Sequence, residues 1–318
     1  MVGAMIRLKT FALAFLLAAA GAAADLRLGL VGTDTSHVTA FAALLNNPSS
    51  PDYVPGARIV AAYKGGMPDN ATSAKYIDRY TEELGNKWGV EIVPDIASLC
   101  ARVDGVLLTS VDGRAHLPEA RQIFASKKPV WIDKPLASTL EDAREIARLA
   151  RAAGVKWWTS SSLRFAPLVT GLKGEGITGA ITWGPGPFEE HHHLDLSWYA
   201  IHPIEMLFTL MGPGCAEVTR VYTEEADEIV CRWKDGRLGT VRALRPYGPY
   251  GAVVFKGKQA AQSDPKAGAG YRPMLVEVVR FFQTGEVPVP VEESLEIFAF
   301  MDAALRSKQA GGRPMALR

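Results

Sequence analysis

From Asp25 to about residue 160 the chain alternates short apolar runs with amphipathic stretches, and no other feature limits the fold as much. An apolar run of about four to six residues between polar turns suits a buried strand and is short for a helix. Such runs stand at 26–31 (LRLGLV), 58–62, 90–93, 105–109 (GVLLT), 129–132 (PVWI) and 155–159. Between them, 37–46, 70–85, 115–126 and 139–153 read as helices, the first capped by Ser36 and the last closed by Gly154. Strand and helix in regular turn argue for a parallel sheet with helices on both faces. The expected fold class is α/β, with a Rossmann-type doubly wound parallel sheet over residues 25–160.

Residues 161–318 change character. A helix is expected near 162–172, a Gly/Pro turn at 184–187, and an apolar helix over 199–211 stopped by Gly212-Pro213. Runs with period two follow at 217–222, 227–233, 238–244 and 252–255, parted by turn signals such as Asp235-Gly236. Two helices, 273–283 and 294–309, close the chain. This half reads as a C-terminal α+β domain with a largely antiparallel sheet. Lys and Arg number 35 against 34 Asp and Glu, which gives no electrostatic reason to expect nucleic acid as a partner. The three cysteines, Cys100, Cys215 and Cys231, are odd in number, so three buried thiols are expected rather than a disulfide framework. Cys215 and Cys231 lie near adjacent predicted strands and could pair in an oxidising compartment.

Three local patterns carry chemistry. The first is the strand-to-helix turn Gly29-Leu30-Val31-Gly32-Thr33-Asp34-Thr35-Ser36-His37. The second is Asp133-Lys134-Pro135 at a strand end. The third is Trp198-Tyr199-Ala200-Ile201-His202-Pro203-Ile204-Glu205, opening the apolar helix of the second half. A Lys or His near neutral pKa suits a proton-transfer step, and the carboxyl edge of a parallel sheet is where such groups converge. In order and spacing the three patterns resemble the nucleotide loop, the Glu-Lys-Pro motif and the helix-borne histidine of the glucose–fructose oxidoreductase / inositol dehydrogenase (Gfo/Idh/MocA) family.

That resemblance spans the chain after residue 24. It implies an open-faced second sheet, a nicotinamide cofactor (NAD or NADP), sugar or cyclitol substrates and a homo-oligomer. It makes Lys134 the lysine between nicotinamide and substrate and His202 the histidine that assists proton transfer, with Tyr199 beside them. Gly32, Thr33, Asp34, Thr35, Ser36, Ser110, Asp133 and Lys134 are then expected around the cofactor. Arg164, His191, His193 and Trp198 are expected to face the substrate.

The sequence also departs from the family pattern. The second glycine of a dinucleotide loop lets the backbone approach the pyrophosphate. Asp34 stands there, and its bulk and charge are expected to weaken that contact. The second strand ends in Tyr63-Lys64-Gly65-Gly66, with no acid for the adenosine ribose, and Lys64 could instead meet a 2′-phosphate. Trp198 replaces the family's aspartate four residues before the histidine. The nearest carboxylate before it is Asp195. The run Glu189-Glu190-His191-His192-His193-Leu194-Asp195 could supply a divalent metal site, with His191 and His193 on one face. A polar substrate loop without metal is the preferred reading. Two other functions stay in competition with redox chemistry. One is acid/base or metal-assisted elimination, hydration or isomerisation of a ketosugar on the same fold. The other is sugar binding without catalysis, with Trp183, Trp198 and Tyr199 as stacking surfaces.

The first 24 residues read as an export signal. Arg7 and Lys9 precede the apolar stretch 11–20, and Ala22, Ala23 and Ala24 supply small residues for cleavage. The apolar stretch is short for a membrane span. A periplasmic or secreted protein is expected, with no stable membrane span after cleavage. Free dinucleotide is scarce outside the cytoplasm, so either the cofactor is tightly held and recycled in place, or the fold has kept its shape and lost hydride transfer. N-terminal sequencing of exported protein should read from about Asp25; an exported chain that still begins at Met1 would refute cleavage.

Overall fold

The computed structural model describes residues 24–318, so the signal segment lies outside the described residues except for Ala24. Six parallel strands form the first sheet: β1 (Leu26–Val31), β2 (Ala57–Tyr63), β3 (Glu91–Val93), β4 (Gly105–Leu108), β5 (Val130–Asp133) and β6 (Trp157–Ser160). Their order is β3-β2-β1-β4-β5-β6, the doubly wound arrangement with its switch point between β1 and β4. The strands β4, β5 and β6 are buried throughout, as a sheet covered on both faces requires. Helices α1 (Ser36–Leu45), α2 (Ala71–Trp88), α3 (Ile96–Cys100), α4 (Gly113–Ala125) and α5 (Leu140–Ala153) supply the cover. Asn70 and Thr139 cap α2 and α5 by accepting from first-turn amides, and Gly154 ends α5 in the left-handed region that favours glycine. Thr35, not Ser36, is the residue before α1 whose side chain accepts from a helix amide.

The second half starts with a 3₁₀ turn, Ser162–Phe165, followed by α6 (Pro167–Thr170). The single helix expected over 162–172 is therefore broken. Ala166 precedes a proline and is extended (φ −69°, ψ 138°), because the proline ring excludes the helical region for its neighbour. Then come β7 (Gly179–Pro185), α7 (Ile201–Met211), β8 (Cys215–Tyr222), β9 (Ala226–Trp233), β10 (Leu238–Leu244), β11 (Gly251–Lys256) and β12 (Gln259–Gln262). Helices α8 (Arg272–Thr284) and α9 (Val291–Gln309) and the short β13 (Met315–Ala316) complete the chain. The sheet order is β12-β11-β7-β10-β9-β8-β13. The segment read as a Gly/Pro turn at 184–187 proves partly strand, since Gly184 and Pro185 continue β7 alongside β10. Pro185 is the strand's last residue, where a missing amide donor is tolerated.

Only β7 and β10 run parallel in this sheet; the other pairings are antiparallel. One face of the sheet packs on α7 and α9. The other carries the exposed side chains Val221, Leu238 and Phe255. Cys215 and Cys231 form a disulfide with their Cα atoms 6.1 Å apart. The expectation of three unpaired thiols is thus corrected. The two cysteines sit on neighbouring antiparallel strands, and strand register is what the sequence alone leaves open. Cys100 is buried and free.

The two halves interlock through α8. Met274, Leu275, Val278 and Phe281 of that helix join a core with Leu28, Val38, Phe41, Trp131 and Trp158 of the first sheet. Aromatic edges run through it: Phe41 lies 5.6 Å from Trp131, Trp131 6.3 Å from Trp158, and Trp158 6.3 Å from Phe281. A helix from the second half therefore covers the first sheet and fixes the cleft between them.

Candidate active site

The carboxyl ends of parallel strands meet at one edge of the sheet, and β5 delivers Asp133 and Lys134 there. Asp133 is a hub. Its Oδ1 accepts the Lys134 amide at 2.8 Å, and its Oδ2 pairs with His37 Nδ1 from the first turn of α1. Burial alone would raise the Asp133 carboxyl, but His37 and Lys134 hold it below the ordinary range. The Lys134 ammonium is pushed down by burial, with Asp133 opposing.

From the other half, α7 brings His202 to the same place. His202 Nδ1 lies 2.6 Å from Ser161 Oγ, and the Ser161 amide donates to Glu205 Oε1 at 3.0 Å. Burial holds His202 well below its ordinary pKa, and the positive charges of Lys134 and His37 add to the effect. It is therefore neutral near pH 7 and able to accept a proton.

Tyrosines close the ring. Lys134 Nζ stands 5.9 Å from the Tyr199 ring centroid, and Tyr199 is 6.0 Å from the His202 ring. Tyr250 packs 5.7 Å from His202, Tyr247 5.9 Å from Tyr199, and Tyr271 4.8 Å from His37. Burial raises the phenols of Tyr199, Tyr250 and Tyr271, so they stay protonated and can donate hydrogen bonds to a hydroxylated ligand. Ser161, Tyr250 and Tyr271 were not singled out from the sequence, and His37 was named only as the last residue of the glycine turn. His37 carried the one available signal, as the only titratable side chain on the first turn of the helix after the glycine turn.

Of the residues expected to face the substrate, Trp198 packs on Tyr199, while Arg164, His191 and His193 are engaged in other surroundings. Arg164 is a correction. It is 7% exposed, and its guanidinium is taken up by Glu293 and by Glu205, whose Oε2 is 2.7 Å from Arg164 Nε. Burial, with Glu293 adding repulsion against the pull of Arg164, pushes the Glu205 carboxyl up to about 7. Trp198 is buried against His192 and Tyr199. The three adjacent histidines part ways. His191 pairs with Glu189 at 2.8 Å, and His193 lines a separate cavity with Thr139, Arg148 and Asp302. His192, buried, bridges Ser197 at 2.8 Å and Asp112 at 3.0 Å. Asp195 is held by Arg220 and Lys308, away from His202. Among the described residues no three His, Cys, Asp or Glu side chains are grouped to hold a metal ion.

The glycine turn is the place where a dinucleotide's phosphates would lie. Gly32 has φ +88°, and a Cβ there would lie 2.3 Å from the Ser110 amide nitrogen, so only glycine fits. Ser36 is exposed at the start of α1, where helix amides suit an anion. Asp34 is turned inward, fully buried, with Oδ1 accepting the Val111 amide at 2.8 Å. Burial raises its carboxyl, so the expected charge repulsion against a pyrophosphate does not arise from a solvent-facing carboxylate. Gly32 and Thr35 are buried and the Gly32 amide already donates to Tyr63, so of this turn Ser36 alone stands open to a phosphate.

A strap lies over the switch point. After β2, Lys64 accepts the Thr33 amide at 2.9 Å, and Gly65 packs against Gly32 and Glu119. Asn70 then donates to Asp112 at 3.0 Å, and Arg114 grips Asp69 at 2.8 and 3.0 Å. Thr33, Ser110, Asp112 and Glu119 are all buried beneath or beside it. Lys64, considered for a 2′-phosphate, pairs with Asp78 at 2.6 Å.

Residues 27–161 match the model of the Gfo/Idh/MocA family, described as an oxidoreductase family with an NAD-binding Rossmann fold. Among curated proteins none matches. Solved structures share the fold at low identity. Myo-inositol 2-dehydrogenase from Lactobacillus plantarum aligns with a TM-score of 0.74 at 13% identity, covering 93% of this chain and 100% of that one. Myo-inositol dehydrogenase from Lactobacillus casei, solved with NAD(H) and myo-inositol, gives 0.72 at 16%, covering 93% and 97%. An oxidoreductase from Agrobacterium radiobacter, solved with NAD+, L-tartaric acid and magnesium, gives 0.71 at 16%, covering 92% and 99%.

Two outcomes follow from the strap and the acid beneath it. Asp69→Ala releases one latch and is expected to tighten NAD+ binding about threefold, the size of one partly exposed ion pair converted into open-state population. Calorimetry that shows unchanged affinity would separate the strap from cofactor binding. Burial pushes the Glu119 carboxyl from its ordinary range up to about 8. Its folded pKa then exceeds its unfolded one, so its contribution to stability is full in acid and is lost as pH rises through about 8. Glu119→Gln should flatten this loss and make the variant more stable than the parent at pH 9, by of the order of a few kcal/mol, with the gap closing towards pH 5. Urea unfolding at the two pH values measures it.

Proposed function

We propose that this chain, whose residues 27–161 match the model of the Gfo/Idh/MocA oxidoreductase family, is an exported NAD(P)-dependent enzyme that interconverts a hydroxyl and a ketone on a sugar- or cyclitol-like substrate. The observation that carries the reading is the convergence of Lys134 and His202, from different halves of the chain, on one tyrosine-lined cleft. Ser36, with Gly32 and Thr35 once the strap is displaced, would hold the dinucleotide, whose nicotinamide supplies the hydride acceptor when bound. Tyr199, Tyr250 and Tyr271 remain protonated and orient substrate hydroxyls. Lys134, its pKa lowered by burial, and His202, held neutral, take up the hydroxyl proton.

Several observations support the finer parts. The free hydrogen-bonding groups of the cleft are phenols, an amine and an imidazole, a set suited to a polyol. Arg164, which would favour an acidic substrate, is already paired. Export is supported by the residue pattern before Asp25 and by the Cys215–Cys231 disulfide, a bond at home in oxidising compartments. No helix of the described residues is long and apolar enough to cross a membrane. The exposed Val221, Leu238 and Phe255 favour a second copy covering the open sheet face. A second reading, non-redox acid/base chemistry on a ketosugar, is favoured by the strap over the switch point.

Reduction of NAD+ in the presence of myo-inositol and other neutral polyols tests the first reading. Lys134→Ala and His202→Ala should each lower turnover by roughly two orders of magnitude or more while the protein stays folded. The double variant should be little worse than the poorer single one, because groups acting as a unit do not add. Near-normal turnover by either folded single variant would sink the assignment.

A further inference from the structure

We propose that His37, acting through Asp133, is a positioning residue that sets both the placement and the charge state of Lys134. The inference rests on the reading of Lys134 as a proton-transfer group and names what controls it. It starts from the geometry of one carboxylate. Asp133 spends one oxygen on the Lys134 amide and the other on His37. The strand end that carries the lysine is thereby tied to the first turn of α1. The His37 ring is itself fixed, between Phe41 at 5.6 Å and Tyr271 at 4.8 Å, and the pair with Asp133 is nearly closed to solvent. Among the described residues, His37 Nε2 has no hydrogen-bond partner, so the Asp133 bond alone sets the ring's role here.

The charges that face Lys134 can be named. Asp133 lies beside it on β5, and His37 stands behind Asp133 on α1. His202 comes from α7 with Tyr199 before it, and Tyr271 from the start of α8. Glu205 shares a small cavity with Lys134. Asp133 favours the ammonium form of Lys134. The His37 ring, bonded to Oδ2, draws on the same carboxylate and weakens that pull, leaving burial free to favour the amine. An unpaired carboxylate in this place would keep the lysine protonated and unable to accept a proton. A missing carboxylate would leave it neutral but unanchored.

This arrangement makes a signature that loss of packing does not. Loosening the site by any route admits water and moves the Lys134 midpoint one way. Acting through Asp133, His37 can move the midpoint only while that carboxylate is present, whereas admitted water moves it in either background. The measurement uses the whole mature protein, with lysines ¹³C-methylated by reduction, and the Lys134 resonance identified by its loss in Lys134→Arg. Its midpoint is followed by NMR against pH with no substrate or cofactor present. His37→Gln should raise the midpoint by about half a unit to one unit, and Asp133→Asn should lower it by about one unit or more. His37→Asn repeats the first arm should the glutamine variant fail to fold. His37→Gln added to Asp133→Asn should move the midpoint no further; a further rise there, single-variant shifts in the same direction, or no shift from either, overturn the proposal. Because the readout needs no turnover, inactivity of the parent protein towards polyols would count against the proposed reaction and leave this result standing.

Discussion

Six parallel strands have to end at one edge of their sheet, and the chemistry of this protein depends on that constraint. Each strand end releases its chain in the same direction, so Gly32, Lys64, Ser110, Lys134 and Ser161 leave the sheet side by side although they are far apart in sequence. The sheet can exist only if both faces are covered. Part of that cover is α8, contributed by the second half. Burying the apolar face of α8 against Trp131, Trp158 and Phe41 thus does two things. It completes the first core, and it pins the second sheet and α7 close enough to bring His202 over Lys134.

The site is built from charges that burial makes expensive and neighbours make tolerable. Asp133 is kept ionised by His37 and Lys134. Arg164, Glu205 and Glu293 form a buried cluster under Ser161, and Ser161 in turn holds the His202 ring. Asp112 gathers Asn70, Arg114 and His192, so the strap over the glycine turn and the loop leading to Tyr199 share one carboxylate. Few of these groups could be neutralised or removed without exposing a partner to an uncompensated charge. Such mutual dependence favours one arrangement of the cleft over many.

Some residues were legible because their role is local. Lys134 before a proline at a strand end, and His202 at the start of an apolar helix, are positions that short patterns identify. Others were not. His37 and Ser161 look ordinary in the chain and acquire meaning only from partners 96 and 41 residues away. Arg164 looked like a substrate contact, but Glu293 lies 129 residues further on and takes its guanidinium. The histidine run looked like one cluster, yet its three rings turn to three environments.

The sequence by itself determined the order and kind of elements in the first half, because hydrophobic periodicity and capping are properties of neighbours in the chain. It also determined the glycine turn, the lysine at the end of β5 and the apolar helix bearing His202. Only the tertiary structure decided that Asp34 faces inward, that a strap crosses the switch point, that Cys215 meets Cys231, and that His37 belongs with Lys134. Each of these depends on strand register, side-chain direction or ion pairing between distant segments. Those are settled by the free energy of packing the whole chain, which no window of sequence contains.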